Sequence, residues 1–487
     1  MNIILAIIDT LRYDHIGANG NAWVSTPNMD RFTEQSWAFD MAFAASYPTI
    51  PHRTDVITGR YGAPFHAWKP LDLDKPTIPR TLAEHGYCTQ LIHDTPHLVN
   101  GGHRFDYPFH AWTAVRGAEV DRPWIDDSAE YLSNWFKDPL FDDYAEDLWP
   151  GKTNFRTYAR ANRKRERDED WNCARLFLTG CQFLQDNASR GNFFLWLDCF
   201  DPHEPWDAPP EFVKLYDDDP GYDGRIDPRT FAGAVRNDPE LTEQRRRRLQ
   251  TYYAAKVSWV DRWFGELLDT LERTGLAKNT AVILTADHGT NVGERGRFGK
   301  GYPVREQEGR IPFVVRVPDG GSGRSDIFVE PQDAFATILG IAGAGDVPEG
   351  IESHDVLKLA QEGGDGPRRL ALAGRGVAKG ARNQPQGEIL YTVFDREWYL
   401  EHAARPEDSR LTRYGSLEDA AADNADAVES LRAAGIEEMA RRGTDPRYIE
   451  WLRRDGEGEL QVEWLYSDAH PAPAAWVSYF HNLYNAP

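Results

Sequence analysis

The chain has 487 residues, 41% of them hydrophobic and 12% aromatic, which exceeds one ordinary domain of roughly 100–200 residues and excludes wholesale disorder. Its formal net charge of −22 argues against a nucleic-acid backbone or an anionic membrane surface as the main partner, because either would be repelled at long range. Cys88, Cys173, Cys181 and Cys199 form no C-x-x-C pair, which argues against a zinc knuckle and for a reducing, cytoplasmic setting.

The opening MNIILAIIDTLRYD carries no basic leader, and its apolar run is far short of the roughly 20 residues that span a bilayer, so no membrane partner is expected. Asn2 to Ile8 reads instead as a central parallel strand covered on both faces, with Asp9 at its carboxyl end. The next informative stretch, SYPTIPHRTDVITGR (46–60), reads as a proline-stiffened turn into a helix, and it also offers the hydroxyl of Thr49. A helix over 77–86, a strand over 89–94, a helix over 173–187 and a strand over 192–200 follow. Residues 248–275 repeat apolar positions at helical spacing and stop at Gly275. Strands over 280–289 and 312–318 come next, then a glycine-rich surface loop, PDGGSGR (318–324). The stretch GGDGPRR (363–369) marks a boundary, giving a catalytic domain at 1–365 and a C-terminal α+β subdomain with its tail at 366–487. In that second unit EILYTVF and REWYLEH form a hairpin, followed by an Ala-rich acidic helical region and an aromatic tail. The alternation of strands and helices predicts an α/β fold with a doubly wound, mostly parallel sheet.

Ligands in such sheets gather beyond the carboxyl ends of the strands. Those ends carry Asp9, His93 with Asp94, Asp198 with Asp201 and His203, and Asp287 with His288. A strand-end carboxylate can also be a helix N-cap, an alternative that stands for Asp9. Two carboxylates, an imidazole and a hydroxyl nonetheless suit a cation with mixed oxygen and nitrogen ligands: Asp9, Asp287, His288 and Thr49.

Five stretches, IIDTLRYDHIG, T-x-P-x-R with ITGR, HDTPHL, DPHEP, and TADHG with GRFGKG, occur in an order that resembles the sulfatase and phosphonate monoester hydrolase branch of the alkaline phosphatase superfamily. The resemblance covers about 300 residues. It implies a metal-dependent hydrolase of a small anionic ester whose nucleophile stands at Thr49, where sulfatases have a cysteine matured to formylglycine. Threonine cannot become formylglycine. A formylglycine hydrate expels sulfate by collapsing to an aldehyde, an exit a sulfated threonine lacks, whereas a phosphorylated threonine is open to in-line attack of water. Thr49 thus favours phosphodiesters or phosphonate monoesters.

The resemblance further implies catalytic roles for Arg53, beside the nucleophile and on an oxyanion, for His97 and His203 as candidates for the general acid, and for Lys300 as an oxyanion or leaving-group clamp. Substrate contacts are expected from Tyr47, His52, Asp94, Thr95, Asp201 and Arg310. One divalent ion is expected, Mn2+ or Zn2+ in preference to Ca2+, because His288 stands where many calcium sulfatases have asparagine and Thr10 where they have a second aspartate. Sulfate-ester hydrolysis by unmodified threonine is the alternative, and an inactive anion- or glycan-binding relative a minor one. The aromatic tail leaves a homo-oligomer open.

Overall fold

The apolar run Asn2–Ile8 is strand β1, every residue of it buried, in a computed structural model that describes residues 1–100, 102–119, 121, 158, 161–217, 242–345, 347–376 and 389–458. In chain order β2 is Trp37–Ala42, β3 Cys88–His93, β4 Ala111–Ala114, β5 Phe193–Cys199 and β6 Thr280–Ala286. A short pair, β7 at Asn291–Val292 and β8 at Phe298–Gly299, precedes β9, Phe313–Arg316, and β10, Gly323–Val329. Eight of these form one sheet in the order β10-β2-β9-β6-β1-β5-β3-β4. Only β9 runs antiparallel to its neighbours, so the expected mixed α/β sheet is mainly parallel.

Register places the chemistry. Ile8 lies opposite both Cys199 and Ala286, and His93 opposite Asp198, so Asp9, Asp198, Asp287 and His93 share one rim of the sheet. Helices Asn172–Asp186, Glu243–Thr274 and Pro27–Glu34 pack together as one set, and Asp333–Ala342 with Thr49–Thr58, Ile78–Glu84 and Val356–Glu362 as another. The strand read at 312–318 is β9, and the stretch read as a surface loop at 318–324 already contains the start of β10, Gly323 and Arg324. Gly323 is needed there: a Cβ would sit 3.0 Å from the Trp37 ring.

Beyond it an antiparallel meander contains β11 (Ala371–Gly374), β12 (Ile389–Phe394), β13 (Trp398–Ala403) and β14 (Arg410–Arg413). Strands β12 and β13 are the expected hairpin, and helix Ala425–Arg441 is the Ala-rich acidic segment. Leu372, Val393, Leu400, Leu431, Met439, Trp451 and Leu452 make a core of their own beneath this sheet. The aromatic tail lies outside the described residues.

Two kinds of contact weld the smaller sheet to the larger. Phe43, one residue past β2, stacks on Phe394 at 4.6 Å. Next to it is a buried ionic knot: Glu330 accepts from Arg442 at 2.7 Å and Tyr61 Oη at 2.9 Å and lies 3.2 Å from Arg368, while Arg368 pairs with Asp333 at 2.5 Å. Burial opposes ionisation of Glu330, but Arg442 and Arg368 outweigh it and pull its carboxyl down to about 2. Glu330→Gln leaves two buried guanidinium groups short of an anion and is expected to cost about 3–5 kcal/mol in urea unfolding. A depressed folded-state pKa stabilises above the unfolded value of about 4.3 and stops doing so as pH falls toward 2. The gap between wild type and Glu330→Gln should therefore be full at pH 7 and shrink across that acid window.

Candidate active site

Helix Thr49–Thr58 starts immediately after Pro48, whose extended backbone turns the chain, and all ten of its residues are buried. It stops at Gly59 with φ +65°, where any side chain would strike Phe335 and Ile351. Asp55 clamps the turn from inside, taking Ser46 N and Ser46 Oγ on its two oxygens, each at 2.8 Å. Thr49 is therefore held rigidly at the positive end of a helix, where an anion is favoured. Its Oγ1 is buried and has no hydrogen-bond partner among the described residues.

One turn later Arg53, fully buried, spreads its guanidinium over three carboxylates. Nε and Nη2 donate to the two oxygens of Asp198 at 2.8 and 2.9 Å, Nη1 to Asp287 Oδ2 at 2.6 Å and Nη2 to Asp9 Oδ2 at 3.2 Å. Nη1 also reaches Thr49 O at 3.2 Å. Asp198 accepts Thr95 Oγ1 at 2.5 Å and Trp196 Nε1 at 3.0 Å as well, which leaves it saturated and unsuited to ligate a cation. The sequence places Asp198 at a strand end without disclosing this counter-ion role.

Asp9, Asp287 and His288 form the one group with metal-ligand spacing among the described residues. The donor set fits a cation on three observations. Asp9 Oδ1 is buried without a partner. His288 Nδ1 faces Gly289 O at 2.8 Å, which fixes the proton there and leaves the orphaned Nε2 with a free lone pair. Thr49 Oγ1 is a third unpartnered atom. Burial, with Asp287 next, pushes Asp9 well above the usual carboxylate range. Burial also works against Asp287, yet His288 and Arg53 hold it well below that range. Thr10 follows with φ +58°, a strained conformation for a β-branched residue, fixed by Thr10 N on Asp287 Oδ1 at 3.0 Å and Tyr253 Oη on Thr10 O at 2.7 Å.

On the other side lie the remaining histidines and Lys300. Burial, helped by Lys300 and His103, lowers His97 to about 3. Burial and Lys300 push His203 well below the ordinary histidine value. Both imidazoles are thus neutral at pH 7. His203 Nδ1 faces Glu204 O at 2.8 Å and the carboxylates of Glu119 and Glu204, each at 3.2 Å, so its Nε2 accepts from Lys300 Nζ. Lys300 also acts electrostatically on Asp9 and His288, so the motif residues surround one charge.

Of the expected substrate contacts, Tyr47 packs its ring 4.9 Å from His288, with its hydroxyl buried and unpartnered. His52 is fully buried beside the same charges, both ring nitrogens free, and burial lowers it to about 3. Thr95 serves Asp198, and Asp94 accepts Phe200 N at 2.6 Å. Two residues are held elsewhere. Asp201 pairs with buried Lys256 at 3.0 Å, and Arg310 donates twice to Asp40 O while its guanidinium lies 4.2 Å over Tyr13. One residue escapes the sequence reading altogether: Trp68, 38% exposed, sets its ring edge-on to His97 at 5.1 Å and His103 at 5.9 Å. It belongs to no motif, so only geometry reveals it.

A family model described as Sulfatase matches residues 1–344. Iduronate 2-sulfatase of Homo sapiens is 27% identical over an alignment 548 positions long, taking in all of this chain and 91% of that protein. A multifunctional alkaline phosphatase superfamily protein of Trinickia caryophylli is 24% identical over 74% of this chain and 77% of its own. The phosphonate monoester hydrolase of Agrobacterium radiobacter superposes with a TM-score of 0.67 at 18% identity, covering 91% of this chain and 96% of that one, which is a likeness of fold.

Proposed function

The chain belongs to the sulfatase family, and from that premise we propose that it hydrolyses phosphodiesters or phosphonate monoesters through a covalent intermediate on Thr49. The observation that carries this reading is the Thr49 hydroxyl, buried without a partner at a helix N-terminus where the family's maturable cysteine would stand. A divalent ion held by Asp9, Asp287 and His288, Mn2+ or Zn2+ in preference to Ca2+, supplies positive charge against a developing oxyanion when bound.

The side chains then divide the work. Thr49 Oγ1 attacks phosphorus, its proton passing to the neutral His97, as the bond to the leaving alcohol breaks; water later attacks the phosphorus, and a proton returns to the threonine oxygen to restore the hydroxyl. An imidazole with a pKa of about 3 carries no second proton at pH 7, so His97 serves as an acceptor. The proton for the leaving oxygen is assigned to Lys300, whose ammonium is steadied by His203 Nε2. Arg53 sets the cluster by orienting Asp9 and Asp287 and by neutralising Asp198. A reducing compartment is part of the proposal, which suits four free thiols.

A second reading, sulfate-ester hydrolysis, is favoured by the identity with iduronate 2-sulfatase along the whole chain. Parallel assays of aryl phosphodiester, phenylphosphonate monoester, phosphate monoester and aryl sulfate, with metal analysis of the same preparation, separate the two. The phosphorus diester or phosphonate should turn over fastest, with about one Mn or Zn per chain, and chelation should abolish it. Fastest turnover of aryl sulfate would transfer the case to the second reading.

A further inference from the structure

Strand β11 of the smaller sheet ends against the segment that delivers the nucleophile. Gly374 N donates to Ala45 O at 3.0 Å and Tyr47 N donates to Gly374 O at 2.8 Å, so the residue after Gly374 is held two residues upstream of Thr49 in space. That residue is Arg375. Its guanidinium lies 5.3 Å from the Tyr47 ring centroid and 4.9 Å from that of Tyr302. Tyr47 in turn rests 4.9 Å from His288.

We propose that Arg375 recognises a second anionic group, a carboxylate or a second oxyanion, on the alcohol part of the ester. The proposal rests on the hydrolase reading for the identity of the first anion, and on independent geometry for the second. Arg375 is exposed and has no carboxylate or carbonyl partner among the described residues, although the chain carries a net charge of −22. Cation–π attraction to two tyrosine rings holds the guanidinium in place, and its N–H fork makes no hydrogen bond among the described residues, so the fork can grip paired oxygens.

The platform beneath it is built rather than incidental. Tyr302 donates its hydroxyl to Leu390 O, and its own carbonyl accepts Arg297 Nη2 at 2.9 Å. Arg297 is buried, with Nε and Nη1 lacking partners, and so adds positive potential around Tyr302. The Tyr47 hydroxyl, buried and unpartnered, is a further donor in the same wall. An alcohol moiety with an acidic substituent completes this set, and a neutral one leaves it idle.

Calorimetric titration of the metal-loaded full chain with benzenesulfonate, which has one anion, and 3-sulfobenzoate, which has two, tests this without turnover. Wild type should bind sulfobenzoate about tenfold or more tightly than benzenesulfonate, the worth of one charge-assisted contact. Arg375→Gln should bind the two equally, and Arg375→Lys, with the charge but not the fork, should fall between. Equal affinities in wild type, or a preference that survives Arg375→Gln, would overturn the proposal. Failure of every ester in the substrate panel with this preference intact would instead sink the hydrolase reading and leave the anion site standing.

Discussion

Thr49→Ala is expected to lower kcat on the best phosphorus ester by roughly 10^4-fold or more, the scale seen when a covalent nucleophile is removed. Substrate affinity should change little, because the hydroxyl acts on the reacting bond and the helix terminus, Lys300 and Arg375 remain. The fold should survive, since Thr49 Oγ1 makes no hydrogen bond that could be lost. Thr49→Ser keeps the nucleophile and should retain a measurable fraction of activity. Steady-state kinetics on the three proteins, with far-UV circular dichroism as the check on folding, reads all of this. If Thr49→Ala kept near wild-type kcat, the hydroxyl would be a bystander.

Arg53→Met should destabilise the fold strongly. Its removal strands Asp9, Asp198 and Asp287, three buried carboxylates that share one guanidinium. Taking one partner from a buried ion pair costs about 3–5 kcal/mol, because a charge is left without compensation in a poorly polarisable interior. Asp198 suffers most: it loses the two-point contact and keeps only Thr95 and Trp196. A second change, Asp198→Asn, should therefore recover part of the loss in the Arg53→Met background while being destabilising alone, a coupling that a double-mutant cycle in urea measures. Additive losses would mean that Arg53 and Asp198 do not act as a pair. Arg53→Lys is not a conservative change here, since an ammonium cannot bridge both oxygens of Asp198 and still reach Asp287.

How much of this could be read in the chain differs from residue to residue. Asp9, Asp287 and His288 were legible because each terminates an apolar run that can only be a buried strand, and strand ends in such sheets face the ligand. Thr49 was legible from its proline-flanked motif. Asp198 was visible as a strand-end carboxylate, but its partner Arg53 lies 145 residues away, a separation no local pattern bridges. Strand β9 shows why direction was hidden: FVVR buries its side chains alike whichever way it runs, and only pairing with β2 and β6 reveals the antiparallel sense. Glycines concealed the start of β10, since Gly323 serves close packing on Trp37 rather than a turn. Trp68 and Arg375 stand alone on a loop and at a strand end, and tertiary placement alone gives them a role. The neutral state of His97 was hidden as well, because it follows from burial beside Lys300 and His103.

The covalent role of Thr49 is tested most directly by rapid acid quench of the enzyme during turnover of an aryl phenylphosphonate, followed by mass measurement of its peptides. A phenylphosphonyl increment is expected on the peptide containing Thr49, formed within the burst of aryl alcohol and absent from Thr49→Ala. An unmodified Thr49 peptide throughout a reaction that turns over at full rate would contradict it.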